Sequence, residues 1–230
     1  MSVARESAPL RPVQLKICGL RDPDQAAAIA ALGVEAIGVV AVPGSPRFLL
    51  PEQRPAVFAA ARARRPPCQG VLVVADPTEE DLPFLLPEWG HQVVQLHGGE
   101  SPQDCRRLRS VLGPGVALWK ALRIRSREDL RRAEAYGDVV DALLLDAWVP
   151  EQLGGTGRTI PLEWLEGFAP PLPWWLAGGI RPETVEAVLQ VVHPWGLDAS
   201  SGVEERPGWK RLDRVRALLE RMASMRRPSA

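Results

Sequence analysis

The residues of this chain best suited to move protons or hold anions are few. Cys18, followed by Gly19, offers a thiol, and His97, within Gln95-Leu96-His97-Gly98, an imidazole. Asp146 and Asp198 bring carboxyls, and Arg47 a planar guanidinium fork. Two further places, Gly178-Gly179 and Ser200-Ser201-Gly202, offer backbone rather than side chains. Glycine leaves N–H groups open to close approach, so such turns can cradle a phosphate. Each residue also has a plainer reading. A cysteine on an apolar strand is by default core, a strand-end histidine is often only hydrogen-bonded structure, and a Gly pair is often only a tight turn.

Placement separates these readings. Short β-branched runs alternate with amphipathic Ala/Leu/Arg-rich segments, the pattern of βα units on a parallel sheet. The runs predict strands over 13–18, 36–40, 70–74, 93–97, 117–121, 139–145, 174–177 and 196–199. Helices are expected over 23–32, 51–64, 78–89, 102–112, 127–135, 162–168, 182–192 and 210–223. Asp22-Pro23, Ser101-Pro102 and Asp76-Pro77, the last with Glu79 placed for a capping box, read as helix starts. Eight βα units without a long linker predict an α/β fold, a single-domain (β/α)8 TIM barrel, rather than an open doubly wound sheet. The barrel is expected over 13–225, with a flexible extension over 1–12 and a tail over 226–230. Barrel active sites form at the C-terminal ends of the strands, and the reactive residues fall at those ends or just after them. Two glycine turns after the last two strands then point to a phosphorylated ligand.

Composition narrows the partners. The 230 residues are 46% hydrophobic and 24% charged, which fits a folded globular chain. Lys+Arg 28 against Asp+Glu 28 leaves no net charge to track a nucleic-acid backbone, so an anionic ligand must be held locally. The longest apolar runs, such as Val71 to Ala75, fall far short of the roughly 20 residues of a membrane span. The N-terminus carries no apolar signal region, so a cytoplasmic home is expected. Cys18, Cys68 and Cys105 are odd in number and form no C-x-x-C pair, which argues against a disulfide framework or a metal site. There are 25 arginines to 3 lysines, a bias that by itself points to no function.

Taken in order, KICGL (16–20), SPRF (45–48), VQLHGGE (94–100), LLLDA (143–147), GGTG (154–157), LAGGI (176–180) and LDASSGVEERPGWK (197–210) resemble the motifs of the phosphoribosylanthranilate isomerase family. The resemblance implies an Amadori rearrangement of a phosphoribosyl aminoaldose in tryptophan biosynthesis, with no cofactor. It implies Cys18 as base, Asp146 as acid, and Arg47 as the grip on the anthranilate carboxylate. His97, Gln95, Lys16 and Asp198 are implied as further substrate contacts, and Gly178, Gly179, Ser200, Ser201 and Gly202 as the phosphate site. A thiol of pKa about 8.5 is a poor base at neutral pH, and Lys16, two residues earlier on the same strand face, could favour its thiolate. An acid role requires Asp146 to hold a proton, which apolar neighbours such as Leu144 and Leu145 would favour. The next helix starts too far away for Asp146 to be its cap.

The chain also departs from the family pattern. Leu20-Arg21 follows KICG where the family usually has Ile-Thr, and Ala75-Asp76 follows strand three where Asn is common. Val39-Val40-Ala41-Val42 stands where the family often has aromatic residues, and one of the rim tryptophans, such as Trp148, could take their place. Two rivals share the barrel: another sugar-phosphate isomerase or epimerase, and a non-catalytic phosphate-binding barrel. An aminoaldose with two phosphates would need a second phosphate signature, which is not evident. The chain is expected to be a monomer or homodimer.

Overall fold

The computed structural model describes residues 11–63, 67–147 and 159–225. Its strands are β1 (Gln14–Cys18), β2 (Ala36–Val40), β3 (Gln69–Val74), β4 (Val93–Leu96), β5 (Ala117–Ile124), β6 (Ala142–Ala147), β7 (Trp174–Ala177) and β8 (Gly196–Ala199). They pair in parallel in sequence order, and β8 returns to β1 to close the barrel. Side chains alternate across each strand, so one run of apolar residues serves two cores. Along β6, Ala142 and Leu144 face the interior, whereas Leu143 and Leu145 join the layer under the helices. Trp119 and Trp175 fill the interior with ring centroids 4.9 Å apart. Gly196 makes room for them, since a Cβ there would strike the Trp175 ring.

The helices cover the outer layer. Asp22 caps α1 (Pro23–Ala31) by accepting from the Gln25 N–H at 2.8 Å, and Ser101 forms a capping box with Asp104 at the start of α3 (Pro102–Leu112). α1 buries Ala26 and Ile29, α2 (Arg54–Arg62) buries Val57 and Phe58, and α3 buries Cys105 and Leu108. Each large aliphatic side chain so buried contributes about 1.5–3 kcal/mol.

The connections around the ring are less regular than the sequence pattern predicts. The helix expected over 78–89 is two short 3-10 turns, Leu82–Leu85 and Pro87–Trp89, because Pro83 and Pro87 cannot donate to a continuous helix. Asp76 is not a cap; it takes a left-handed φ of 48°, and its carboxylate accepts from the Gly99 N–H at 2.7 Å. Thr78 bonds to Asp81 instead, so the capping box with Glu79 does not form. The 127–135 segment winds as a 3-10 helix, Arg127–Tyr136. α4 (Leu162–Leu165) and α5 (Val185–Val191) are shorter than expected. β6 starts three residues late and runs through Asp146, so that carboxyl sits on a strand, not in a loop. A hairpin absent from the sequence reading, β9 (Glu204–Arg206) with β10 (Trp209–Lys210), precedes α6 (Leu212–Ser224). At the N-terminal side Arg11, expected to be free, lays its guanidinium over the Trp195 ring at 3.5 Å.

Candidate active site

One cleft at the C-terminal end of the barrel gathers residues from most of the strands. It encloses about 710 Å³ including its mouth. Cys18, Arg47, Gln95, His97, Asp146, Gly178, Gly179, Asp198, Ser200, Ser201 and Gly202 all line it. Val40, Val42 and Val73 supply an aliphatic wall. Trp148, the rim tryptophan named as a possible aromatic substitute, lies outside the described residues, as does the GGTG block.

Cys18 ends β1 and faces inward. Its sulfur fits because Gly38, its register partner on β2, has no side chain; a Cβ there would lie 2.7 Å from Sγ. Gly19 follows with φ 85°, and a Cβ at this residue would collide with the Arg47 side chain. Burial pushes the Cys18 thiol up, the cations Lys16 and Lys210 pull it back, and the carboxylate of Asp198 opposes them. The net direction is upward, so the resting group is a thiol. Lys16 is not a cleft residue, contrary to the sequence reading. It is fully buried beneath the cleft, with Nζ 3.0 Å from Asp198 Oδ2. Burial alone would lower its pKa, but the ion pair with Asp198 opposes burial and the net direction is upward, so the ammonium stays charged.

Arg47 sits on the loop after β2, which folds back so that Leu49 donates to the Val40 carbonyl at 3.0 Å. Its fork is not empty. Nε and Nη2 donate to the two oxygens of Glu204 at 2.9 and 2.6 Å, and the hydrogen bond raises its pKa despite partial burial. Glu204 also accepts from Lys210 Nζ at 2.6 Å and from the Gly208 N–H at 3.0 Å. Burial pushes this carboxyl up, but Arg47 and Lys210 outweigh it and hold it below its usual range.

Across the barrel, Asp146 is 4% exposed, with His97 Nε2 3.3 Å from its Oδ2, within ion-pair distance but off hydrogen-bonding alignment. Gln95 Nε2 lies 3.2 Å from His97 Nδ1. With that amide nitrogen donating, Nδ1 accepts and the ring proton resides on Nε2, facing Asp146. Leu144 lies below Asp146 on the same face, whereas Leu145 points to the helix layer and cannot shield the carboxyl as expected.

The two glycine turns are held from behind. Thr184 Oγ1 donates to the Gly179 carbonyl at 2.8 Å, and Arg214 Nε to the Gly202 carbonyl at 2.9 Å. Gly178 and Gly179 take φ of 88° and 66°, and a Cβ on Gly202 would strike the Ile180 carbonyl. None of the N–H groups of Gly178, Gly179, Ser201 and Gly202 donates to another described group. Unsatisfied N–H groups from two adjoining turns are the kind of backbone that can cradle an anion.

A family model of N-(5'phosphoribosyl)anthranilate (PRA) isomerase matches residues 15–221. The chain belongs to the PRA isomerase family. The PRA isomerase of Synechococcus elongatus is 47% identical over 211 residues, covering 92% of this chain and 96% of the relative. Among solved structures, the Thermus thermophilus enzyme matches at TM-score 0.77 and 36% identity, covering 93% of this chain and all of the other. A PRA isomerase in complex with reduced 1-(o-carboxyphenylamino)-1-deoxyribulose 5-phosphate matches at TM-score 0.77 and 26% identity, over 92% of this chain and 99% of that one. A structure of generated monomers of the dimeric PRA isomerase from Thermotoga maritima matches at the same score and identity.

Within this PRA isomerase site, the sequence reading missed Gly38, Glu204 and Lys210. Glu204 and Lys210 lie inside the quoted SSGVEERPGWK block, and Lys210 is one of only three lysines among 28 basic residues. All three are buried and each is paired with a carboxylate: Lys16 with Asp198, Lys120 with Glu100, and Lys210 with Glu204.

Proposed function

We propose that Cys18 and Asp146 are the two proton-handling groups with which this cleft performs the PRA isomerase reaction. The chain converts N-(5'-phosphoribosyl)anthranilate to 1-(2-carboxyphenylamino)-1-deoxyribulose 5-phosphate, a step of tryptophan biosynthesis. Asp146 gives a proton to the furanose ring oxygen as the C1'–O bond breaks, and the anthranilate nitrogen lone pair forms the iminium. The Cys18 thiolate then removes the C2' proton. The C–H electrons form the C1'–C2' double bond and neutralise the iminium, and the enolamine tautomerises to the ketone.

The observation that carries this reading is the meeting of three features in one cleft. A buried thiol ends β1, a buried carboxyl beside an imidazole ends β6, and unsatisfied N–H groups line the turns after β7 and β8. The phosphate sits on those N–H groups, and the ribose lies between Cys18 and Asp146. Because one edge of Arg47 is taken by Glu204, the substrate carboxylate is gripped by the Nη1 end. His97 orients Asp146. Lys16 and Lys210 supply the positive charge that makes a thiolate accessible when the substrate binds. Asp198 serves by holding Lys16, and Gln95 by fixing the His97 ring.

Among the described residues no helix is long and apolar enough to cross a membrane. Three buried free cysteines support a reducing, cytoplasmic setting. The chain works as a monomer or homodimer.

The test is the loss of PRA fluorescence on adding purified protein without metal or nucleotide. Wild-type protein consumes the substrate, whereas Cys18→Ala and Asp146→Asn each lose at least about 10²-fold in kcat with an unchanged circular dichroism spectrum. Near wild-type turnover in either variant removes that residue from the chemistry.

A further inference from the structure

Lys120 and Glu100 form an ion pair that the reaction does not touch. Their side chains are 1% and 3% exposed, and Lys120 Nζ lies 2.7 Å from Glu100 Oε2. Lys120 is on the outer face of β5, between the inward-facing Trp119 and Ala121, so it points away from the cleft. A pair buried this deeply gains little or no stability over an apolar pair of the same size, since desolvating both charges offsets their attraction. Its use must therefore be sought in what it holds.

What it holds is the residue after His97. Lys120 Nζ donates to the Gly98 carbonyl at 2.9 Å, and the Gly98 N–H donates to Glu100 Oε1 at 3.2 Å. The pair thus grips both sides of one residue. Glu100 Oε1 also accepts from the Asp76 N–H at 2.7 Å, which ties the end of β3 to the same carboxylate. Asp76, in its left-handed conformation, returns the link by accepting from the Gly99 N–H at 2.7 Å. Gly98 can lie against Asp76 only without a side chain, because a Cβ there would be 2.5 Å from the carboxyl. Tyr136 closes the arrangement from outside, donating to the Glu100 carbonyl at 2.9 Å. His97 itself extends the β3–β4 ladder by donating to the Val74 carbonyl at 2.8 Å, and its ring then reaches to 3.3 Å from Asp146.

We infer that Lys120 and Glu100 are positioning residues: they clamp Gly98 so that the His97 ring faces Asp146 in one orientation. The inference rests on the proposed role of Asp146, and it deepens that reading by locating what sets the geometry of the acid. Neither side chain touches the substrate. Their effect is on the rate of the chemical step rather than on substrate affinity, because the phosphate and carboxylate grips lie on other strands.

Two charge-free double variants test this. Glu100→Gln/Lys120→Met keeps an acceptor for the Asp76 and Gly98 N–H groups and loses only the grip on the Gly98 carbonyl. Glu100→Leu/Lys120→Met loses every bond of the clamp. With both folded at the assay temperature, kcat is expected to fall severalfold in the first and by about 10²-fold in the second, with KM within about twofold of wild type. The 15N signals of the His97 ring, read by NMR without substrate, should move from one tautomer toward a mixture in the same order. The clamp is refuted if both variants keep wild-type kcat and ring signals. It is also refuted if the loss in kcat disappears when assays are run further below each variant's Tm, which would mark a purely structural role. If wild-type protein proved inactive on PRA, the proposed reaction would fall, while the His97 ring signals would still report on the clamp.

Discussion

At Cys18, burial and catalysis make opposing demands. In the proposed reaction a thiolate takes the C2' proton, yet burial holds the thiol protonated at rest. The thiolate is read apart from the acid in Asp146→Asn, where the thiolate fraction below the thiol pKa grows tenfold per pH unit, so the residual kcat/KM is expected to climb with unit slope from about pH 7 to 8.5, without the plateau an ordinary thiol base would approach there. A flat profile over this range in Asp146→Asn, measured by PRA fluorescence, would remove Cys18 as the base. Arg47 answers to a different measurement. In the proposed pose its Nη1 end meets the non-reacting carboxylate, so Arg47→Ala should raise KM by roughly 10- to 100-fold with little change in kcat. Arg47→Lys should not restore KM, because a point charge cannot hold Glu204 and a substrate carboxylate at once. A fall in kcat at unchanged KM would place Arg47 in the chemistry.

At the scale of elements, the proposed phosphate cradle depends on how the turn after β8 packs on the turn after β7. A Cβ on Gly202 would meet the Ile180 carbonyl, and a side chain on Gly179 would be strained at its positive φ. Gly202→Ala and Gly179→Val are therefore expected to part the two turns and raise KM more than tenfold, on the order of a lost charge-assisted hydrogen bond. Binding of inorganic phosphate, followed by calorimetry, should weaken in parallel. If phosphate affinity is unchanged in both variants, the cradle lies elsewhere and the substrate is bound the other way round.

At the scale of the molecule, alkali should be a weakness. Burial pushes Cys68 up to about 12 and Cys105 up to about 11 from an ordinary 9.0, and neither residue is more than 2% exposed. Above the unfolded pKa the unfolded chain loses these thiol protons while the folded chain keeps them. The unfolded state then binds fewer protons, so stability falls as pH rises from 9 toward 11 and 12. Between pH 8 and 10 the two thiols together should cost about 3 kcal/mol, or roughly 6–12 °C in Tm. Cys68→Ala/Cys105→Ala should start from a lower Tm, because of the cavities left, yet lose less over the same pH interval. An equal loss in the variant would assign the alkaline sensitivity to other groups.

Much of the architecture was written locally. Eight alternating runs, two proline-marked helix caps and glycine turns after the last two strands are short-range patterns, and they determined the barrel and the rim on which Cys18, Asp146 and the two glycine turns meet. Local pattern failed where proline overrode amphipathic spacing, as at Pro83 and Pro87, and where a turn residue was taken as a cap, as at Asp76. Only the closed barrel decided the electrostatics. Lys16 and Asp198 are 182 residues apart in sequence, and Arg47 and Glu204 are 157 apart. Parallel pairing of β1 with β8 brings the first pair together; the loop after β2 and the stretch after β8 bring together the second. A charge meets its partner across such distances only when the sheet closes. That is why the sequence located the reactive groups, and only the fold showed which of them are free and which are already bound to one another.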